Sequence, residues 1–189
     1  SPQGQYKDDM NSFVHGKMMS DDVFDASLML IAQELQKSTK KRVLVVPCFV
    51  WNVCCDGTYS SASFNYMKLS NFRDQLVKSH DHISQFDFVL SGVCLRGHFA
   101  AVSVDVSKEK ICVADPLNSY FTHTEQLDFG GMMSKFMTLE WDKLVVGDVE
   151  SPVSLNNSFV EPLTMPNWSF ETSAIKFQMR GSLCCGPLC

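Results

Sequence analysis

The sequence lacks an apolar run long enough to cross a membrane. Its longest, VLVVPCFVW at positions 43–51, contains Pro47 and falls well short of the roughly 18 to 20 residues that a membrane-spanning helix requires. The opening residues, SPQGQYKDDM, are polar and lack the apolar segment of a signal peptide. We therefore expect neither a membrane span nor a membrane partner.

Positive charge is also scarce. The chain has 16 lysine and arginine residues against 21 aspartate and glutamate residues, so its net charge is -5. A protein that holds nucleic acid through nonspecific phosphate contacts needs a positively charged surface, and no nucleic-acid partner is expected. The one basic cluster is KSTKKR at positions 37–42. We interpret it as the C-terminal end of a solvated helix, the alternative being a contact with an acidic partner.

Cysteine pairs with the CxxC spacing of a structural zinc site are absent. The chain has eight cysteines, at positions 48, 54, 55, 94, 112, 184, 185 and 189. Several of them lie in apolar segments, where reduced cysteine packs as a small hydrophobic residue. The composition also supports a core that does not depend on disulfides. We predict that most of the cysteines are reduced and that the protein is intracellular, in a reducing compartment such as the nucleus or the cytoplasm.

Internal repeats, low-complexity segments and interdomain linkers are absent as well. Positions 1–19 show no hydrophobic periodicity and are predicted to form an extended N-terminal arm. Positions 20–189 are predicted to form a single domain, because this length is enough to bury one substantial core.

The domain is predicted to begin with a helix. Ser20 is a suitable N-cap, and Asp21 and Asp22 place negative charge in the first turn, where the helix dipole favours it. The basic residues at 37–41 suit the opposite end. The apolar residues at helical spacing, which are expected to face the core, are Val23, Ala26, Leu28, Leu30, Ile31 and Leu35.

The central part of the chain is predicted to form strands. RVLVV (Arg42–Val46) ends at a proline, and Phe86–Leu95 ends before an Arg-Gly pair, so both read as buried strands. A hairpin is predicted next, with one strand at 98–106, a turn at 107–109 and a second strand at about 110–115.

Alternation within this hairpin brings a histidine and a carboxylate together. The apolar residues of the first strand share a face with His98, and those of the second share a face with Asp115. If the two apolar faces meet one core, both polar residues project from the same side near the same end. A carboxylate in that position holds the imidazole in one tautomer and stabilises its protonated form. The alternative is a strand-end histidine and a turn aspartate with no shared role. The apolar residues are Val102, Val104 and Val106 in the first strand and Ile111 and Val113 in the second.

Two adjacent cysteines, Cys184 and Cys185, precede a glycine and a proline in the ending QMRGSLCCGPLC. Adjacent cysteines rarely bond to each other, because disulfide geometry strains such a pair. A cysteine attacks as its thiolate, which a cation or a helix N-terminus stabilises. The glycine allows close backbone approach and the proline suits a first helical turn, so these cysteines lie where a helix would begin. Gln178 ends a strand predicted at 173–178, and its amide is suited to donate to an oxyanion.

Together these residues resemble the ubiquitin-like-protein proteases, the SUMO-protease type of cysteine peptidase. In that family a His followed by an aromatic residue opens a strand, an Asp ends the next strand, and a Gln precedes a Cys-Gly pair at the head of a central helix. His98-Phe99 is similar to the family's His-Trp, and the 17-residue step to Asp115 equals the family's usual step. ADPLN is similar to its YDSLN, and SDDVFDASLMLI resembles its opening helix.

The resemblance implies a role for each site residue. His98 would be the general base and then the general acid, Asp115 would orient it, Gln178 would donate to the oxyanion, and Cys185 would be the nucleophile. Two counts compete for the nucleophile, because the family's usual step of six from Gln178 reaches Cys184, whereas its Cys-Gly pair matches Cys185. We choose Cys185, since a glycine after the nucleophile lets the substrate backbone approach closely.

The resemblance also implies an α+β fold of the papain-like, ubiquitin-like-protease type, with a mixed central sheet packed against helices. The implied reaction is cleavage after the Gly-Gly tail of a ubiquitin-like modifier, in a precursor or at an isopeptide bond to lysine. The modifier or its conjugates would be the partner, and neither a metal nor an organic cofactor is needed. In that family the nucleophile heads a long central helix, so the domain at 20–189 is expected to be cut short at its C-terminus.

Two other functions stay open. Bacterial effector acetyltransferases of the same clan use a similar triad to move an acetyl group from acetyl-CoA. The chain could also be a decayed protease that binds a modifier without cleaving it, because Leu183 or Cys184 replaces the Asp or Asn that usually precedes the nucleophile. Acetylation of a target would identify the first, and modifier binding without cleavage the second.

Overall fold

Five strands of the residues that the structure describes form one sheet, in which each strand is hydrogen-bonded to its neighbours in chain order. The computed structural model describes residues 20–65, 68, 82–117, 120–146 and 167–174. The strands are β1 (Val43–Val46), β2 (Phe88–Leu95), β3 (His98–Asp105), β4 (Lys110–Asp115) and β5 (Ser169–Ala174). The pairs β2–β3 and β3–β4 are antiparallel, whereas β1–β2 and β4–β5 are parallel. The sheet is therefore mixed.

In the described part of the chain, three helices pack against this sheet, which confirms the expected α+β architecture. They are α1 (Asp21–Thr39), α2 (Cys48–Cys54) and α3 (His123–Val146). Single 3-10 turns lie at Ser61–Ser63 and Ile83–Gln85. Within the described ranges, no helix combines the length and the apolar character that a membrane span requires. The arm predicted at 1–19 lies outside the described residues.

Helix α1 begins and ends where the sequence predicts. The Ser20 hydroxyl oxygen accepts a hydrogen bond from the Val23 amide at 3.4 Å. At the other end Lys40 adopts a left-handed conformation, with φ of 62°, and its N–H donates to the Gln36 carbonyl. A residue in this conformation closes the last turn of a helix, so both ends of α1 are capped.

The predicted apolar stripe of α1 is wrong in part. Leu30 and Ile31 are 62% and 46% exposed, and Leu30 lies on the far side of the helix from Leu28, which is buried. A residue two positions along a helix is rotated by about 200°. The residues that face the sheet follow a spacing close to four. They are Val23, Phe24, Leu28 and Ala32.

Gly92 lets α1 approach the sheet closely. A Cβ atom at this position would lie 2.2 Å from the Phe24 ring and 2.6 Å from the Cys48 sulfur. Any larger residue in the middle of β2 would push the helix away, so the absence of a side chain at Gly92 permits the packing of α1.

Apolar side chains cover both faces of the sheet. One cluster joins the sheet to α1 and includes Phe99, whereas the larger cluster joins the opposite face to α2 and α3. Val102 and Val104 of β3 belong to the larger cluster. Because side chains alternate along a strand, His98 projects from this same face.

Candidate active site

His98 and Asp115 lie on neighbouring antiparallel strands, at the end of the sheet where β3 begins and β4 ends. In the register of β3 and β4, Ala101 pairs with Ala114 and Val102 with Val113. Asp115 is therefore a diagonal neighbour of His98 on the same face. His98 Nε2 lies 2.8 Å from Asp115 Oδ1, and the two side chains are only 5% and 2% exposed. The pairing that strand alternation predicts is confirmed.

Backbone amides hold the Asp115 carboxylate in place. Oδ1 also accepts a hydrogen bond from the Leu117 amide at 3.0 Å. Oδ2 accepts from the amides of Tyr120 at 3.0 Å and Phe121 at 3.2 Å. Together with the contact to His98, these bonds satisfy a buried anion and fix the plane of its carboxylate.

Two aromatic rings surround the His98 imidazole. The Tyr120 ring lies 4.4 Å from it between centroids, tilted by 45°, and the Phe121 ring lies 5.1 Å away, tilted by 40°. Phe121 is buried and packs edge-on against Phe129 at 5.1 Å. Sequence reasoning missed both rings, although only Ser119 separates the pair Tyr120-Phe121 from the ADPLN segment that marks Asp115.

Phe99, the aromatic residue that follows His98 in the sequence, does not share a face of the sheet with the imidazole. It follows His98 in the strand, so alternation turns its side chain to the opposite face of the sheet. There it stacks on Phe24, with the ring centroids 4.7 Å apart and the planes within 9° of parallel. The aromatic neighbours of His98 therefore come from the segment after β4 rather than from β3 itself.

The geometry assigns different roles to the two nitrogens of His98. Nε2 is engaged by Asp115 and carries the proton that it donates to the carboxylate. This leaves the lone pair of the neutral ring on Nδ1. A histidine oriented in this way can take a proton at Nδ1 while the buried carboxylate stabilises the resulting imidazolium.

Strand β5 ends beside Asp115. The two strands β4 and β5 are parallel, and Asp115 pairs with Ala174. The chain therefore leaves β5 at the end of the sheet where the histidine–carboxylate pair lies. The strand predicted at 173–178 begins earlier in the structure, at Ser169. Gln178, Cys184 and Cys185 lie outside the described residues.

Three of the five described cysteines have thiols that burial keeps protonated. Cys48, Cys54, Cys55, Cys94 and Cys112 are all free of disulfides. Burial raises the pKa of Cys54 and of Cys55 to about 11, and burial and the nearby Asp25 carboxylate raise the pKa of Cys48 further. Among the residues described, no group of His, Cys, Asp and Glu side chains could hold a metal ion.

No protein-family model matches the chain, and no curated protein matches it in sequence. Solved structures do match. A SUMO protease Ulp1 with its catalytic cysteine oxidized to a sulfenic acid gives a TM-score of 0.64 at 12% identity, covering 94% of this chain and 65% of that one. A de-sumoylating protease gives 0.62 at 10% identity, covering 95% and 62%. The C-terminal Ulp1 protease domain in complex with Smt3, the yeast ortholog of SUMO, gives 0.54 at 13%, covering 95% and 65%.

This chain spans less than two thirds of the length of each of these structures, and the similarity extends over almost all of its own length. The mixed five-stranded sheet packed against helices confirms the α+β fold with a mixed central sheet that is expected from the sequence, and the solved structures share this fold. The chain has the fold of the Ulp1-type SUMO proteases.

Proposed function

We propose that the chain is the catalytic part of a thiol peptidase or isopeptidase that cleaves after the Gly-Gly tail of a ubiquitin-like modifier. The observation that carries this proposal is the buried pair of His98 and Asp115, joined at 2.8 Å at the end of a sheet with the Ulp1 fold. A buried histidine–carboxylate pair is the acid–base half of a catalytic triad.

The first chemical step uses Cys185 as the nucleophile. Its thiol proton moves to Nδ1 of His98 as the sulfur forms a bond to the carbonyl carbon of the terminal glycine. The carbonyl electrons move onto the oxygen, where the Gln178 amide and nearby backbone N–H groups stabilise the negative charge. Asp115 stabilises the imidazolium through Nε2.

The second step releases the amine. The carbon–nitrogen bond breaks, the leaving amine takes the proton from His98, and a thioester to Cys185 remains. A water molecule then attacks the thioester while His98 removes its proton, and the thiolate leaves and is reprotonated. The scheme draws on side chains and water alone, without a metal ion or an organic cofactor.

The proposed partner is a ubiquitin-like modifier or one of its conjugates. The solved Ulp1 domain in complex with Smt3 supports this choice, because it has the same fold and is bound to a modifier. We also propose a reducing, intracellular compartment, where a catalytic thiol stays reduced.

A panel of ubiquitin-like proteins carrying an electrophile at the tail, with SUMO among them, tests the proposal. Both the 189-residue chain and the longest protein that its gene encodes should be used. We expect one modifier to form a covalent adduct that maps to a cysteine and disappears in the His98→Ala variant. Binding of a modifier without any adduct would instead indicate a decayed, non-catalytic binding module. Acetylation of a protein target with acetyl-CoA, again without an adduct, would indicate an acetyltransferase.

A further inference from the structure

Tyr120 contacts both members of the histidine–carboxylate pair. We propose that Tyr120 is a positioning residue, which holds the His98 ring in the orientation that directs Nδ1 toward the nucleophile. This inference rests on the proposed function, because it assigns a further residue to the same site.

The tyrosine is anchored at its backbone and at the end of its side chain. Its backbone N–H donates to Asp115 Oδ2 at 3.0 Å. Its hydroxyl donates to the Arg96 carbonyl oxygen at 3.0 Å. Between these anchors the ring lies 4.4 Å from His98, so it cannot turn away without the loss of at least one hydrogen bond.

Arg96 also contacts the Tyr120 ring. The guanidinium carbon lies 5.6 Å from the ring centroid, within the range of a cation–π contact. Arg96 Nη1 also pairs with Glu125 Oε1 at 2.8 Å, and Glu125 Oε2 accepts from the Thr122 amide at 2.8 Å at the start of α3. The ring is therefore held by contacts with His98 and with a cation that is tied to a helix end.

Arg96 itself belongs to the turn that leads into His98. Arg96 and Gly97 both have positive φ, 55° and 75°, as a two-residue hairpin turn requires. The phenol of Tyr120 thus bonds to the backbone two residues before the histidine. It joins the turn before His98 to the segment after Asp115, which sets the relative position of the pair from outside the sheet.

The two rings beside His98 differ in their surroundings. Phe121 is 3% exposed and packs into the core against Phe129, whereas Tyr120 is 37% exposed and closes the solvent side. Removal of the Tyr120 ring would open this side alone. The imidazole could then rotate, and water could reach the hydrogen bond between Nε2 and Asp115.

The test compares Tyr120→Leu and Tyr120→Met with the wild type and with Leu127→Ala. Leu127 is 46% exposed and belongs to none of these contacts, so it controls for the loss of an exposed apolar side chain. Two readouts are needed: the tautomer and Nε2–H exchange of His98 by nitrogen-15 NMR, and kcat and KM with the modifier substrate. We expect both variants at Tyr120 to accelerate exchange of the Nε2–H and to lower kcat by roughly 10- to 100-fold with little change in KM.

Tyr120→Phe separates the ring from its anchor. It keeps the contact with His98 and loses the bond to the Arg96 carbonyl, so its kcat and exchange rate should fall between those of the wild type and Tyr120→Leu. Arg96→Gln keeps the backbone carbonyl and removes the cation, and it should change kcat and the exchange rate less than Tyr120→Phe does. Circular dichroism checks folding, and either Tyr120→Leu or Tyr120→Met, whichever folds, is sufficient for the test.

The inference is overturned if a folded variant without the Tyr120 ring keeps the tautomer, the slow Nε2–H exchange and the kcat of the wild type. Failure of the proposed function gives a different result. In that case no probe labels the wild type, while loss of the Tyr120 ring still accelerates Nε2–H exchange at His98, so Tyr120 orients the imidazole although the site does not act on the modifiers.

Discussion

Nε2 of His98 lies 2.8 Å from Oδ1 of Asp115, and this short distance joins two side chains that are almost completely buried. The pair differs from a surface ion pair because the carboxylate also accepts hydrogen bonds from three backbone amides, those of Leu117, Tyr120 and Phe121. Asp115 therefore has a structural role and a proposed catalytic role, and the two can be separated by mutation.

We predict that Asp115→Asn loses both activity and stability. An amide NH2 group cannot accept the backbone hydrogen bonds, and the unsatisfied donors should lower the free energy of unfolding by about 1–3 kcal/mol. Loss of the carboxylate should also lower kcat by roughly a thousand- to ten-thousand-fold. Urea unfolding and steady-state kinetics measure the two effects.

His98→Gln is the matched control. It removes the proposed acid–base group but leaves the three amides bonded to Asp115, so activity should be lost with a smaller loss of stability than in Asp115→Asn. An Asp115→Asn protein as stable and as active as the wild type would contradict both assigned roles.

The next prediction concerns Asp25, which lies outside the candidate active site and should make the stability of the protein depend on pH. Its two carboxylate oxygens accept hydrogen bonds from the Cys48 amide at 2.9 and 3.1 Å, and so cap helix α2 from α1. Burial raises the pKa of Asp25 to about 6, which outweighs the lowering effect of the Cys48 bonds. Because the folded protein binds this proton more tightly than the unfolded chain, the contribution of Asp25 to stability falls as pH rises from about 4 to about 7.

Asp25→Asn should remove this part of the pH dependence. It keeps an acceptor oxygen for the Cys48 amide and carries no charge, so at pH 7 the variant should be at least as stable as the wild type. Asp25→Ala loses the cap, which should lower the free energy of unfolding by about 1 kcal/mol. Glu34→Gln, an exposed change on the same helix, controls for the loss of one negative charge. Urea unfolding at pH 4.5 and 7.5 makes the comparison, and a pH slope unchanged in Asp25→Asn would contradict it.

Much of the sheet and half of the candidate site are predictable from the sequence, because a strand has only two faces. Once Val102 and Val113 must share one core, the faces of His98 and Asp115 follow, and the structure places the pair accordingly. The start of α1 is equally readable, since Ser20 is a local capping signal that depends on few distant contacts.

Helix α3 is the main element that sequence reasoning misses. Its start carries a readable signal, because Thr122 and Glu125 cap each other: the Thr122 amide donates to Glu125 Oε2, and the Glu125 amide donates to Thr122 Oγ1. The adjacent Gly130 and Gly131 argue against a helix by propensity. Tertiary packing overrides them, since a Cβ at Gly130 would lie 2.2 Å from the Phe170 ring of β5.

We predict that nearly all eight cysteines titrate as free thiols. The five described ones form no disulfide, and three of them have thiols whose pKa is raised by burial. Counting thiols with Ellman's reagent, with and without denaturant, should give few reactive groups in the folded protein and close to eight after unfolding. Three or four disulfides in the unfolded sample would contradict the proposed reducing compartment.

The last prediction concerns which of the two adjacent cysteines attacks. The spacing from Gln178 favours Cys184, whereas the neighbouring glycine favours Cys185, because a side chain after the nucleophile would crowd an incoming tail. Cys185→Ser should therefore abolish labelling by the tail-reactive probe. Cys184→Ser should retain most of it, since a neighbouring thiol supplies no acid–base step. Circular dichroism must show that both variants fold. A folded Cys184→Ser protein without labelling, beside a Cys185→Ser protein that still labels, would assign the nucleophile to Cys184 and make the spacing the better guide.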